Sequence, residues 1–167
     1  MGRPKAGIAA PVPSIRAATP ADLPAINRVI ALARDSWDLP ERVRRLAGRL
    51  HELGPTSFDS YEVIVAEDPE GTVRGVAVML LRPPVLDDGG PGNTALYLEG
   101  LFVEPERGRR GIGSLLLRQV EARAREAGLS RIDLRARREA IGFFRKSGFR
   151  PLGPDDARHA MTKTLPA

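Results

Sequence analysis

The stretch that decides the fold is Leu98-Glu99-Gly100-Leu101-Phe102-Val103-Glu104-Pro105-Glu106-Arg107-Gly108-Arg109-Arg110-Gly111-Ile112-Gly113-Ser114. It begins as an apolar, strand-like run, breaks at Pro105, passes through Gly and Arg, and becomes an amphipathic helix. A strand that leads through a glycine-rich turn into a helix presents free backbone N–H groups, which bind phosphate. Because arginines surround these glycines, the stretch predicts a site for a phosphate-bearing ligand.

The composition limits the class of protein. With 167 residues, 42% of them hydrophobic and 28% charged, the chain has the size and composition of one globular domain with a full core. Residues 1–13 are rich in proline and small residues, so we expect a disordered leader there and a single domain over residues 14–167. No apolar stretch reaches the roughly 18 residues of a membrane span, and we expect a cytoplasmic protein.

The missing cysteines exclude disulfides, a cysteine nucleophile and thiolate metal sites. His51 and His159 are far apart in sequence, so we expect no metal.

Hydrophobic periodicity and turn signals give the order of elements. Strands are predicted at 14–19, 61–67, 73–81, 94–103, 131–136 and 159–165, and helices at 20–34, 41–53, 108–127 and 139–147. The strand–helix–strand run over 94–136 implies a parallel neighbour, whereas the first half is mostly antiparallel. The predicted fold class is therefore α/β, with a mixed sheet and helices on its faces.

Three motifs carry a resemblance to a known family. The segment LEGLFVEPERGRRGIGSLLL (98–117) is similar to the acetyl-CoA motif of the GNAT superfamily of N-acetyltransferases. AIGFFRKSGF (140–149) resembles the following helix, and RHAMTKTL (158–165) resembles the closing strand. The resemblance covers roughly residues 14–165 and implies the GNAT fold, with six to seven strands, about four helices and acetyl-CoA as co-substrate.

The resemblance also implies how acetyl-CoA is held. Its pyrophosphate would lie on backbone N–H groups at the start of the helix, and its pantetheine arm would pair with the main chain of Leu101 and Val103. A backbone N–H near Leu101 would polarise the thioester carbonyl, which gives Leu101 a catalytic role. The cofactor-binding residues implied are Leu101, Phe102, Val103, Arg109, Arg110, Gly111, Ile112, Gly113, Ser114 and Phe144.

The chain departs from the family pattern at three positions. Gly108 replaces an Arg or Gln that commonly lies three residues before the first Gly of Gly-x-Gly, and Arg137 replaces a frequent Asn. Phe144 stands where a Tyr is often found and proposed to protonate the leaving thiolate. Since Phe144 has no proton to give, the thiolate leaves unassisted, water protonates it, or activity is lost.

Glu99 is the expected general base, because a protonated amine must lose a proton before it can attack. The triplet Leu98-Glu99-Gly100 also resembles aminoglycoside 6′-N-acetyltransferases and similar small-amine enzymes. The alternative is a sheet-face Glu paired with an Arg. Strand alternation places Glu99 with Tyr97 and Leu101, unless a bulge at Gly100 breaks the pattern.

The acceptor side is predicted less sharply. Substrate-binding candidates are Trp37, Asp38, Asp87, Asp88 and Tyr97. We expect His51 on the surface of the second helix and His159 on the last strand.

The main hypothesis is an N-acetyltransferase that moves the acetyl group of acetyl-CoA to a primary amine of a small molecule by direct attack in a ternary complex. Protein or peptide N-acetylation and a non-catalytic acyl-CoA-binding regulatory module are the alternatives. The net charge of +5 permits an anionic partner. CoA phosphates account for the arginines, however, so we expect neither a nucleic-acid nor a membrane partner. A homodimer is compatible with the resemblance, since dimers are common among relatives.

Overall fold

A computed structural model describes residues 11–47, 51–81, 95–107, 110–153 and 159–167. These residues form seven strands, which are β1 (Ser14–Ala17), β2 (Glu62–Glu67), β3 (Val73–Leu80), β4 (Ala95–Val103), β5 (Arg131–Arg135), β6 (Arg150–Pro151) and β7 (Ala160–Thr164). They also form five α-helices, which are α1 (Leu23–Asp35), α2 (Glu41–Ala47), α3 (Ser57–Ser60), α4 (Ile112–Glu126) and α5 (Ile141–Lys146).

The strands form one mixed sheet in the order β1-β2-β3-β4-β5-β7-β6. Only β4 and β5 are parallel, and every other neighbouring pair in this sheet is antiparallel. The parallel pair is the one that the strand–helix–strand run predicted, with α4 as its crossover. The predicted fold class and the mixed sheet are therefore confirmed.

The core has one apolar cluster on each face of the sheet. On one face, α1 packs its buried stripe against the middle strands, through Ile26, Val29, Ile30, Val65, Val76 and Phe102. On the other face, α4 and α5 cover the same strands, through Met79, Leu96, Leu116, Val120, Ile132 and Phe144. Helical spacing of apolar residues in α1 and α4 is what fits these two helices to the sheet.

Short elements and one helix end differ from the sequence predictions. The helix expected over 41–53 ends at Ala47 within the described residues, and 51–53 are irregular. Its apolar residues do not form a packed stripe, because Val43 and Leu46 are 45% and 73% exposed. The helix α3 and the strand β6 were not predicted, since four and two residues are too short to show periodicity. None of the described helices has the length and apolar character that crossing a membrane requires.

The parallel strands β4 and β5 separate halfway along β4. Residues Ala95–Leu98 pair with Arg131–Leu134, and no described strand pairs with that edge of β4 after Leu98. The chain after β5 turns to the other side instead, where the Ala136 N–H donates to the His159 carbonyl at 3.0 Å. The second half of β4 therefore borders a gap in the sheet.

Candidate active site

A β-bulge in β4 positions Glu99 at the point where this gap opens. Val78 of β3 pairs with Gly100, and the next residue, Met79, pairs with Leu98, so Glu99 has no partner in the register. A residue left over in this way bends the strand and redirects the side chains that follow it.

The bulge changes which face of the sheet the later side chains occupy. Leu98 and Leu101 pack against the same cluster, although three residues apart on an unbroken strand would place them on opposite faces. Glu99 acts electrostatically on Tyr97 and His51, which places it on the α1 side of the sheet. The bulge that the sequence left open as an alternative is therefore present, and Glu99 and Leu101 lie on different faces of the sheet.

The Glu99 carboxylate is exposed. Among the described residues, no arginine or lysine forms an ion pair with it. The alternative of a sheet-face Glu neutralised by an Arg thus finds no partner in the described part of the chain.

His51 lies inside an aromatic cluster on the α1 side. Its ring centroid is 5.7 Å from that of Trp37 and 5.8 Å from that of Phe102, and both contacts are edge-to-face. The Nδ1 atom of His51 is buried and has no hydrogen-bond partner within the described residues. The expectation of a surface His51 is wrong, because the described part of α2 ends before this residue and the irregular chain turns its ring inward.

Both negative and positive side chains act on the pKa of His51. Burial lowers the pKa of His51; Glu99 opposes this effect, and the guanidinium groups of Arg34 and Arg137 add to it. The lowered pKa favours the neutral form of the ring at pH 7.

Arg137 stacks on Trp37. Its guanidinium carbon lies 3.7 Å from the centroid of the Trp37 ring, which is cation–π geometry. One guanidinium nitrogen also donates to the Glu139 carboxylate at 3.3 Å. Arg137 lies two residues after β5, and its guanidinium, like the Glu99 carboxylate, acts on the His51 ring.

The N-terminus of α4 has the features of an anion site. Gly111 caps the helix in the left-handed conformation (φ 79°), and no side chain caps the first turn. The first N–H groups of a helix have no partner within the helix, so those of Ile112, Gly113 and Ser114 remain available to a ligand. Gly113 has a second role: a Cβ on it would lie 3.3 Å from the Phe143 ring, so the helix could not pack as closely.

Arginines surround this helix end. A cavity of about 850 Å³ opens beside it, and Arg107, Arg110 and Arg118 line that cavity without an ion pair among the described residues. The loop therefore offers positive charge together with free N–H groups, which fits the pyrophosphate of the co-substrate that the motif implies.

A buried carboxylate lies directly after β4. Glu104, the residue before Pro105, accepts from Arg28 at 3.0 Å and from Arg74 at 2.8 Å, and Arg74 also pairs with Asp68 at 2.7 Å. Burial disfavours the charged form of Glu104, but hydrogen bonds from Arg74 and then Arg28 outweigh it and lower its pKa. This network ties the end of β4 to the β2–β3 turn and to α1.

The remaining predicted site residues differ in burial and in position. Tyr97 is half-buried, and burial, followed by Glu99, raises its pKa. Asp38 is exposed and makes no described contact with the cluster. Phe144 lies in the core, where its ring centroid is 5.4 Å from that of Phe149. Outside the described residues lie Asp87, Asp88, Gly108 and Arg109.

Comparisons with known proteins agree with this geometry. The model of the acetyltransferase (GNAT) family matches residues 27–149. PaiA N-acetyltransferase from Thermoplasma acidophilum, solved in complex with coenzyme A, superposes with a TM-score of 0.74 at 20% identity, over 92% of this chain and 99% of that one. A structure from Corynebacterium glutamicum, described as histone acetyltransferase HPA2 and related acetyltransferase, gives a TM-score of 0.66 at 26% identity over 93% and 98%.

One curated relative is larger than this chain. The tRNA(Met) cytidine acetyltransferase TmcA from Aeropyrum pernix is 34% identical in an alignment 104 residues long, which covers 53% of this chain and 14% of that protein. This chain therefore spans only a small part of that relative. The family match, in contrast, covers strands β2 to β5, the helix α4 and the Gly148-Phe149 end. The chain belongs to the acetyltransferase (GNAT) family.

Proposed function

We propose that the chain acetylates the primary amine of a small molecule, with Glu99 as the general base. The observation that carries this proposal is the bulge, which leaves Glu99 exposed and without an ion pair among the described residues, beside the gap between β4 and β5. The Leu98-Glu99-Gly100 triplet, similar to that of aminoglycoside 6′-N-acetyltransferases, also supports a small amine.

Each part of the site has a distinct role in this proposal. Acetyl-CoA supplies the acetyl group as a thioester when bound. The free N–H groups of Ile112, Gly113 and Ser114 hold its phosphates, with Arg110 beside them, and the open edge of Leu101–Val103 holds its pantetheine arm. The Leu101 N–H donates a hydrogen bond at the thioester carbonyl, where negative charge develops.

Proton transfer falls to Glu99 and His51. Glu99 takes the proton of the acceptor amine directly, or the neutral His51 ring relays it. Phe144 is buried and has no acidic proton, so protonation of the leaving group falls to water or to Tyr97, whose raised pKa keeps its phenol proton in place.

A thiol-release assay with acetyl-CoA and a panel of amino acids, polyamines, aminoglycosides and lysine peptides tests the proposal. With the amine that is turned over, Glu99→Gln is expected to lower kcat/KM by about 10²–10⁴-fold, the usual contribution of a general base. The dissociation constant for CoA, measured by calorimetry, should not change. Glu52→Gln, which removes an exposed carboxylate near His51, is the matched control. An unchanged kcat/KM in Glu99→Gln would place the base elsewhere.

A second candidate is acetylation of a nucleobase amine in RNA. It rests on the 34% identity to TmcA, whose name describes it as acting on a cytidine of tRNA(Met). The net charge of +5 is compatible with an RNA acceptor. Incubation with labelled acetyl-CoA and tRNA decides between the two: label in the tRNA at moderate salt, with no turnover of small amines, would favour this candidate.

A further inference from the structure

The acceptor end of the site carries a cation as well as a base. Arg137 lies over Trp37, and Trp37 in turn contacts the His51 ring. Glu99 reaches the same His51 ring through its charge. A carboxylate suited to an amine and a guanidinium suited to an anion therefore both act on one imidazole.

The Arg137 guanidinium is held in place without being neutralised by a buried partner. Stacking on Trp37 fixes its plane, and its only described polar partner is Glu139, whose side chain is 57% exposed. A bond of 3.3 Å to an exposed carboxylate is easily exchanged for a bond to a ligand. The flat fork of an arginine is also the side chain best matched to a carboxylate or another planar anion.

The same charges disfavour polycations. An acceptor with several ammonium groups would bring positive charge against Arg137, which also acts on the His51 ring. An acceptor with one amine and one anionic group could place its amine at Glu99 and its anionic group at Arg137.

From this arrangement we infer that the acceptor is an amine that also carries a carboxylate or a comparable anionic group, as an α-amino acid does, and that Arg137, stacked on Trp37, binds this group. The inference rests on the proposed acetylation of a small-molecule amine and narrows its substrate class. The reaction is the same transfer: the amine nitrogen forms a bond to the acetyl carbon, and the carbon–sulfur bond of the thioester breaks. CoA leaves as the thiolate and is protonated by water or Tyr97, and the amine proton passes to Glu99 or His51.

Trp37 is the only tryptophan of the chain, so its fluorescence reports directly on Arg137. The probes are the reaction products N-acetylglycine, N-acetyl-L-leucine and N-acetyl-L-methionine, each compared with its uncharged amide. At least one carboxylate is expected to change the Trp37 emission saturably, with an affinity about tenfold or more above that of its amide, the gain of a charge-assisted hydrogen bond. In Arg137→Gln this difference should disappear. In Arg150→Gln, which removes an exposed arginine on β6, it should persist.

Turnover separates the inference from the proposed function. With acetyl-CoA, amino acids should be acetylated about tenfold or more efficiently than the amines that lack their carboxylate, and Arg137→Gln should erase the preference. Equal or better turnover of neutral amines or polyamines would overturn the inference and leave the proposed function standing. Carboxylate binding at Trp37 without turnover of any amine would overturn the proposed acetylation and leave Arg137 as an anion-binding residue. No saturable response to any of the three carboxylates would overturn the inference.

Discussion

The side-chain amide of Asn27 forms two hydrogen bonds with the backbone of Leu53. Its Nδ2 donates to the Leu53 carbonyl and its Oδ1 accepts from the Leu53 N–H, each at 2.9 Å. Leu53 lies two residues after His51, in a segment without regular structure. The amide therefore pairs the backbone N–H and C=O of Leu53, as a neighbouring strand would. In this way it holds the segment that carries His51 against α1.

Replacing Asn27 by leucine should weaken both the fold and the site. The two Leu53 groups would lose their partners, at a cost of about 1–3 kcal/mol in the free energy of unfolding, measured by urea denaturation. The kcat/KM should also fall, because the His51 ring loses its fixed position. Gln119→Leu removes an exposed amide of α4 and should change neither quantity appreciably. A stability loss with unchanged kcat/KM would show that this segment does not position the site.

Gly100 is the residue that allows the bulge beside Glu99. A Cβ on Gly100 would lie 2.3 Å from Cε2 of the Phe102 ring, and Phe102 is buried against His51. Gly100→Ala should therefore displace that ring and cost about 1–3 kcal/mol.

The same substitution should lower kcat/KM more than CoA binding, because the displaced ring adjoins His51 rather than the α4 loop. Gly142→Ala is the control: nothing lies within 4 Å of the added Cβ, and alanine favours the helix. If Gly100→Ala weakened CoA binding as much as turnover, the disturbance would extend along β4 and would not be confined to the acceptor side.

Asn27 and Gly100 show why the sequence indicates the stretch before α4 more readily than the contacts around His51. The stretch before α4 is continuous in sequence, and its Gly111 has the left-handed backbone that glycine favours. The mixed sheet followed from local periodicity and from one crossover. Such features can be predicted from sequence because the residues that determine them are close together along the chain.

The acceptor side depends on contacts between distant residues. His51 belongs to an irregular segment held by Asn27, and no periodicity marks either of them. Arg137 was visible only as a departure from a family pattern, because its stacking on Trp37 joins residues 100 positions apart. The bulge was foreseen as an alternative, but only the pairing of β3 with β4 decides it.

Gly111 and Gly128 offer a matched pair at the two ends of α4. Both have a left-handed backbone, with φ of 79° and 72°, so a side chain strains either site by about 1 kcal/mol or more. Gly111→Val should raise the dissociation constant for CoA about tenfold or more, since the strained turn no longer presents its N–H groups to the phosphates. Gly128→Val should lower stability by a similar amount and leave CoA binding intact. Equal loss of CoA binding in both variants would assign the effect to general instability.

The stability of the protein should depend on pH through His51. Its pKa is lowered in the folded state by burial, against an ordinary value of about 6.5. Below that value the unfolded chain therefore binds more protons than the folded one, and the free energy of unfolding should fall as the pH is lowered from 7 to 5. The groups acting on the ring are Glu99, Arg34 and Arg137.

Two substitutions isolate the titration of His51 from its packing. His51→Phe keeps an aromatic ring in the cluster and His51→Gln does not, so their stabilities at pH 7 should differ. Both lack the imidazole, so both should show a flatter dependence of stability on pH between 5 and 7 than the parent protein. Should either variant keep the full dependence, the slope belongs to other groups.

Glu104 should stabilise the protein only above acidic pH. Its pKa is lowered in the folded state, since hydrogen bonds from Arg74 and Arg28 outweigh the effect of burial. The stabilisation is thus complete above the unfolded-state pKa of about 4.3 and is lost as the pH falls through the lower folded-state value. Glu104→Ala at pH 7 leaves two arginines without their shared carboxylate and should cost about 2 kcal/mol, less than for a fully buried pair because Arg28 is 40% exposed.

The substitution Glu104→Ala also tests whether the ion pairs of Glu104 shape the turn that leads into α4. Because Glu104 precedes Pro105, its loss should also weaken CoA binding measured by calorimetry, although Glu104 itself faces the arginines and not the ligand. Glu126→Ala removes a carboxylate paired with Arg123 on the exposed side of α4 and should leave CoA binding unchanged. Glu104→Gln should recover part of the stability, because the amide oxygen still accepts one of the two hydrogen bonds. A Glu104→Ala protein that is destabilised yet binds CoA normally would show that the network holds α1 and the β2–β3 turn together without shaping the loop.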